Sequence, residues 1–169
     1  MIKFVKVFWI LSLLAFVSIL LMVYAYMPLQ VVLSEDERGI AEYIIERDSF
    51  FYYALFGCVS FNGFLLLLGG LILGLPHNLL PLPKKAFWGR NHITKGIMKV
   101  RLKNWLKGFG LAFNFYAMIA VVTIYDVNDK DFNITLDTLN FVIVGFLFIW
   151  IALFFYLFGE TKSIEEQIN

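Results

Sequence analysis

Four long apolar stretches, 7–27, 51–75, 108–125 and 138–159, contain no Asp, Glu, Lys, Arg or His. That absence excludes a large part of membrane chemistry. A proton relay, a counter-ion for a charged substrate and the carboxylate of an ion-coupled exporter all place an ionisable group at membrane depth. Haem ligation across helices needs histidine within them. The two histidines, His77 and His92, instead lie in one connection with no carboxylate between them. No metal centre is expected from such a pair. The single cysteine, Cys58, excludes an internal disulfide, a CxxC redox pair and a cysteine-rich metal site. No nucleophile sits beside a base. The chain therefore offers no catalytic residue and no cofactor site, and it reads as a non-enzyme.

Room for a soluble domain is lacking too. The longest connection between the apolar stretches is 76–107, too short to bury a core of its own. No internal repeat or low-complexity tract is present.

What is there is apolar surface. Hydrophobic residues make up 60% of the 169, and aromatic residues 18%. A water-soluble chain of this size cannot bury so much, whereas lipid can solvate it. Each apolar stretch is long enough to cross, or nearly cross, a hydrocarbon core of ~30 Å at ~1.5 Å per residue. The first, with Lys3 and Lys6 before it and Val23-Tyr24-Ala25 near its end, has the outline of a signal peptide. Its apolar run is longer than a typical signal core, so it is expected to stay as the first span, with Trp9 at one interface and Tyr24 and Tyr26 at the other.

The charges are sorted by segment. Lys84 to Lys107 holds eight of the fourteen Lys and Arg residues and no acid. The N-terminal segment, this central connection and the tail together hold eleven basic residues and three acids, whereas 28–50 and 126–137 hold three basic residues and ten acids. The positive-inside rule then places both termini and 76–107 in the cytoplasm and the two acidic loops outside. The expected fold is an all-α membrane protein: an antiparallel four-helix transmembrane bundle, N-in/C-in, with short amphipathic interfacial helices. The expected location is the plasma membrane, of the bacterial inner-membrane type, multi-pass.

One interfacial helix is expected in the first outer loop, where Ser34-Glu35-Asp36-Glu37 fits a capping box followed by Ile40, Tyr43 and Ile44. A second is expected from Ile93 onward, its Leu102, Trp105, Leu106, Phe109 and Phe113 stripe running into the third span. Lys95, Lys99, Arg101 and Lys103 are placed to reach lipid headgroups. Trp88 and Trp105 among these charges could suggest nucleic acid. Between two spans the positive-inside pattern accounts for them, and no nucleic-acid partner is expected.

Within the spans, Gly63, Gly70 and Gly74 share a face that includes a GxxxG motif, the kind of surface on which helices approach closely. Packing inside the bundle is the expected use. The polar candidates within the spans are Ser12, Ser18, Cys58, Ser60, Asn62, Asn114 and Thr123. Counted from the cytoplasmic ends of the spans, Asn62 lies roughly 20 Å deep and Asn114 about 10 Å deep. On that count the two asparagines should not meet. Ser18 is the nearer partner for Asn62 and Ser12 for Asn114. Each asparagine is expected to bond the first helix or backbone carbonyls.

In the second outer loop, Asp129, Asp131, Asn133, Thr135 and Asp137 alternate like calcium ligands. Ile134 stands where the calcium turn needs glycine, and Asn140 where it needs a bidentate Glu, which argues against the ion. Asn133-Ile-Thr135 is a glycosylation sequon.

Nineteen phenylalanines exceed what one small bundle interior can hold, so some must face lipid or a partner. With no chemistry in the spans, the expected role is a non-catalytic accessory or scaffold subunit of a larger membrane complex. Its partners would be the bilayer and other integral membrane subunits. The alternative is a small homo-oligomeric transporter or channel for a neutral or lipid-like substrate, with Asn62, Asn114 and Thr123 as the only candidates for a polar path.

Overall fold

The computed structural model describes residues 2–35, 39–76, 79–129, 136–162 and 164. The chain runs α1 (Ile2–Tyr26), β1 (Gln30–Glu35), β2 (Ala41–Glu46), α2 (Arg47–Gly74), α3 (Lys85–Gly89), α4 (His92–Asp129) and α5 (Leu136–Gly159). Four of these helices, α1, α2, α4 and α5, are long and apolar enough to cross a membrane. Each of the four apolar stretches coincides with one of these helices, with Met27 and Leu75 just past the ends of α1 and α2.

Helix ends follow local chemistry. The helical bonding of α1 closes with Met27 N–H donating to the Val23 carbonyl, one residue before Pro28. Pro76 follows the C-cap of α2 at Leu75. Asn91 and Thr94 open α4 by a reciprocal cap. The Asn91 Oδ1 accepts from the Thr94 amide at 2.8 Å, and the Thr94 hydroxyl accepts from the Asn91 amide at 3.3 Å. From there α4 runs unbroken for 38 residues, about 57 Å, nearly twice a hydrocarbon core. From His92 onward the basic segment is therefore the first half of the third long helix, with no joint between a surface helix and a span.

Neighbouring pairs fix the directions. Trp9 of α1 meets Asn62 of α2, and Tyr24 meets Asp48, so α1 and α2 are antiparallel. Asn62 and Cys58 meet Asn114 of α4, and Leu106 of α4 faces Gly69, so α2 and α4 are antiparallel. Arg101 meets Leu157 of α5, and Phe109 lies against Phe146, so α4 and α5 are antiparallel. The start of α1, the end of α2, the start of α4 and the end of α5 share one end of the molecule. That end carries the basic residues.

The packing is a three-helix core with a fourth helix attached. Phe16, Leu20, Val23 and Met27 of the α1 side pack with Phe50 and Cys58 of α2 and with Met118 and Val121 of α4. Among the described residues the fourth helix, α5, packs chiefly on α4 of the long helices, with Ile72 of α2 reaching the cluster around Phe158. An aromatic seam joins α5 to α4: Trp105 stacks on Trp150 at 5.9 Å and meets Phe154 at 5.1 Å, and Phe109 lies 6.3 Å from Phe146. Gly108 admits Trp150, since a Cβ there would come within 2.8 Å of the ring.

The surface helix expected over 34–47 is not formed. The described residues of that loop are an antiparallel β-hairpin, pairing Val31 with Ile45 and Val32 with Ile44. The β-branched run Val31-Val32 faces Ile44-Ile45, a composition that favours strands. Gly39 turns the chain at φ 73°. Val31 is fully buried in the same cluster as Met27 and Phe50, which fixes the hairpin to the end of the helices opposite the basic residues. Its free edge is closed by a side chain. Asn128 of α4 accepts from the Val32 amide and donates to the Val32 carbonyl, both at 2.9 Å, in the manner of a third strand. The calcium-like loop and the sequon fall largely in 130–135, outside the described residues. So do His77 and Glu37 of the supposed capping box.

Candidate functional site

The polar residues of α1, α2 and α4 meet at one level. Ser12 lies fourteen residues before the end of α1, Asn62 fifteen after the start of α2, and Asn114 fifteen before the end of α4. Measured from that acidic end, all three are about 22 Å in. They form a closed ring with Trp9. The Trp9 indole donates to Asn62 Oδ1 at 2.8 Å, and Asn62 Nδ2 donates to Asn114 Oδ1 at 2.7 Å. Asn114 Nδ2 donates to Ser12 Oγ at 2.9 Å, and Ser12 donates to the Trp9 carbonyl at 2.8 Å. Each member donates to the next in one rotational sense.

The ring's direction follows from chemistry. An indole N–H can only donate, so Asn62 must present its oxygen to Trp9 and its amide nitrogen to Asn114. That in turn fixes the Asn114 oxygen toward Asn62 and its nitrogen toward Ser12. The second N–H of Asn62 goes to the Cys58 carbonyl at 2.9 Å, and the Cys58 thiol lies 3.6 Å from Asn114 Oδ1. Ser12, Cys58, Asn62 and Asn114 are all buried. Gly110 makes room, because a Cβ there would lie 2.8 Å from the Trp9 indole nitrogen and 3.2 Å from Leu65.

The expectation that the two asparagines stay apart is overturned. Its depth count started the third span at Gly108, a residue inside a continuous helix. Counting from the acidic end puts them level. Ser12 does pair with Asn114, but Ser18 caps back to the Leu14 carbonyl at 2.9 Å, and Trp9 takes the place expected of it. Trp9 was expected as an interfacial anchor, and its indole points inward instead. Thr123 is buried, and its hydroxyl has no hydrogen-bond partner among the described residues.

Of the expected packing glycines, Gly63, Gly70 and Gly74 have open space where a Cβ would project. The helical glycines under contact, among the described residues, are Gly69, Gly108 and Gly110.

A second cluster ties the basic end together. Arg101 donates to the carbonyls of Leu157 and Glu160, Trp88 donates to the Phe158 carbonyl at 3.1 Å, and Lys84 reaches Thr161 Oγ1 at 3.1 Å. The last turn of a helix leaves carbonyls unpaired and carries partial negative charge. Here the basic segment caps α5. Of the four residues placed at lipid headgroups, Arg101 is thus engaged within the protein, while Lys95, Lys99 and Lys103 are exposed. Trp88 and Trp105, the aromatic residues among the charges, pack against α5. Among the described residues no three His, Cys, Asp or Glu side chains converge as a metal set.

Four helices of spanning length, an uncharged polar ring across three of them and a charged cap on the fourth are the features of a multi-pass membrane protein. Comparison with protein-family models, with curated proteins and with solved structures finds no match.

Proposed function

We propose that this protein is a non-catalytic accessory subunit of a larger membrane complex, with both termini and the basic end in the cytoplasm, and with α5 as the element that meets a partner. The observation that carries this reading is the exposure of α5. Only 6% of its spanning window is buried, against 22–28% for the other three long helices. Phe141, Val144, Phe148, Ile151 and Phe155 form an exposed stripe at alternating steps of three and four, the spacing at which one helix meets another. The interior supports a rigid role, because the polar ring gives the three-helix core one register. A bacterial inner membrane suits the charge sorting.

The transporter alternative is less well supported. It needs Asn62, Asn114 and Thr123 along a path. Asn62 and Asn114 instead bond Trp9, Ser12 and Cys58. The test is isolation from native membranes in mild detergent, with native mass and the identity of bound chains, for the wild type and for a Phe141→Ala/Phe148→Ala/Phe155→Ala variant. A foreign membrane polypeptide at fixed stoichiometry, lost in the variant, supports the subunit reading. A lone chain or a pure homo-oligomer contradicts it.

A further inference from the structure

Beside the polar ring, toward the basic end, α2 and α4 leave a groove of about 170 Å³ lined by Trp9, Leu65, Leu66, Gly69, Gly70 and Leu106 with Lys103 and Lys107. Its wall on α2 is a pair of glycines, and at Gly70 nothing stands within 4 Å of where a side chain would begin. Lys103 and Lys107 lie one turn apart on α4 and so share a face. Lys6, one turn before Trp9 on α1, does not line the groove but is close enough for its charge, like that of Lys103, to act on Lys107. No carboxylate is paired with any of the three among the described residues. Two cations thus stand at one end of an apolar slot between helices, with a third close by.

Like charges repel, and near a low-dielectric boundary the repulsion is screened less than in bulk water. An anion among the lysines relieves it, and an apolar chain fits the slot. We propose that this groove binds one anionic phospholipid, its phosphate held by Lys103 and Lys107 with Lys6 close by, and the upper part of an acyl chain lying over Gly69 and Gly70. This differs from diffuse attraction of Lys95 and Lys99 to headgroups, because it requires one site with a defined floor.

The test is reconstitution of the full chain in phosphatidylcholine vesicles with phosphatidylglycerol as the minor component, followed by extraction and native mass spectrometry. The expected result is one phosphatidylglycerol retained per chain, and no displacement by excess inorganic phosphate. Lys103→Gln/Lys107→Gln should retain it about thirtyfold more weakly, and Lys95→Gln/Lys99→Gln should retain it as the wild type does. Gly70→Leu, which fills the slot without changing charge, should also lose it, and it carries the test if the double lysine variant does not accumulate. Equal loss in the Lys95/Lys99 variant means diffuse attraction and overturns the proposal. Displacement by phosphate, or full retention in Gly70→Leu, overturns it as well.

Discussion

Asn62 donates to Asn114 at 2.7 Å, joining the second and third long helices at a depth where lipid offers no other partner. This one bond links the two halves of a ring whose other members are Trp9 and Ser12 on the first helix. In membranes such bonds average ~0.6 kcal/mol. Asn62, Asn114 and Ser12 each donate from a group polarised by the bond it accepts, so the three act as a unit.

Replacing Asn62 or Asn114 by Leu should therefore destabilise the fold by roughly 1–3 kcal/mol, because each change leaves buried partners unpaired. The double variant should cost less than the sum of the singles. Reversible unfolding in mixed micelles measures both. Strict additivity would mean that the two asparagines act separately.

The glycines should divide into two groups. Gly110→Ala places a Cβ 2.8 Å from the Trp9 indole nitrogen and should cost about 1–3 kcal/mol through displaced packing. Gly74→Ala meets nothing and should be neutral or stabilising by up to ~1 kcal/mol, since it removes a flexible residue from a helix. Thermal unfolding of the purified variants checks the contrast.

Much of this was legible in the sequence. Uncharged runs of twenty or so residues dictate spanning helices almost regardless of fold. The depth of Asn114 was misread because the third span was counted from Gly108, the first residue after the last charge at Lys107, whereas the helix continues through that point. Gly108 and Gly110 are sites where Trp150 and Trp9 press against a continuous helix. The hairpin was hidden for a different reason. Ser34 and Glu37 match a helix cap locally, but Val31 in the core and Asn128 on the free edge stabilise a strand from residues far away in sequence.

The hairpin should depend on Asn128. In Asn128→Leu both Val32 backbone bonds are lost. Amide exchange at Val32 should then rise by at least tenfold, the equivalent of about 1.4 kcal/mol, with α1 and α2 unchanged. Hydrogen exchange read by mass spectrometry decides it.

The cap on α5 should hold that helix to α4. Arg101→Gln removes a charged donor from the Leu157 and Glu160 carbonyls, a loss of about 1.5–3 kcal/mol. Spin labels at the exposed positions Val100 and Tyr156 should show a broadened distance distribution in this variant. The buried Cys58 should not compete for the label.

The most direct test of the central claim is the composition of the particle that carries this chain out of its native membrane. The subunit reading predicts foreign membrane polypeptides at fixed stoichiometry, released when Phe141, Phe148 and Phe155 are changed to Ala while the chain itself stays folded. A homogeneous particle of this chain alone, unaltered by those three substitutions, would contradict it.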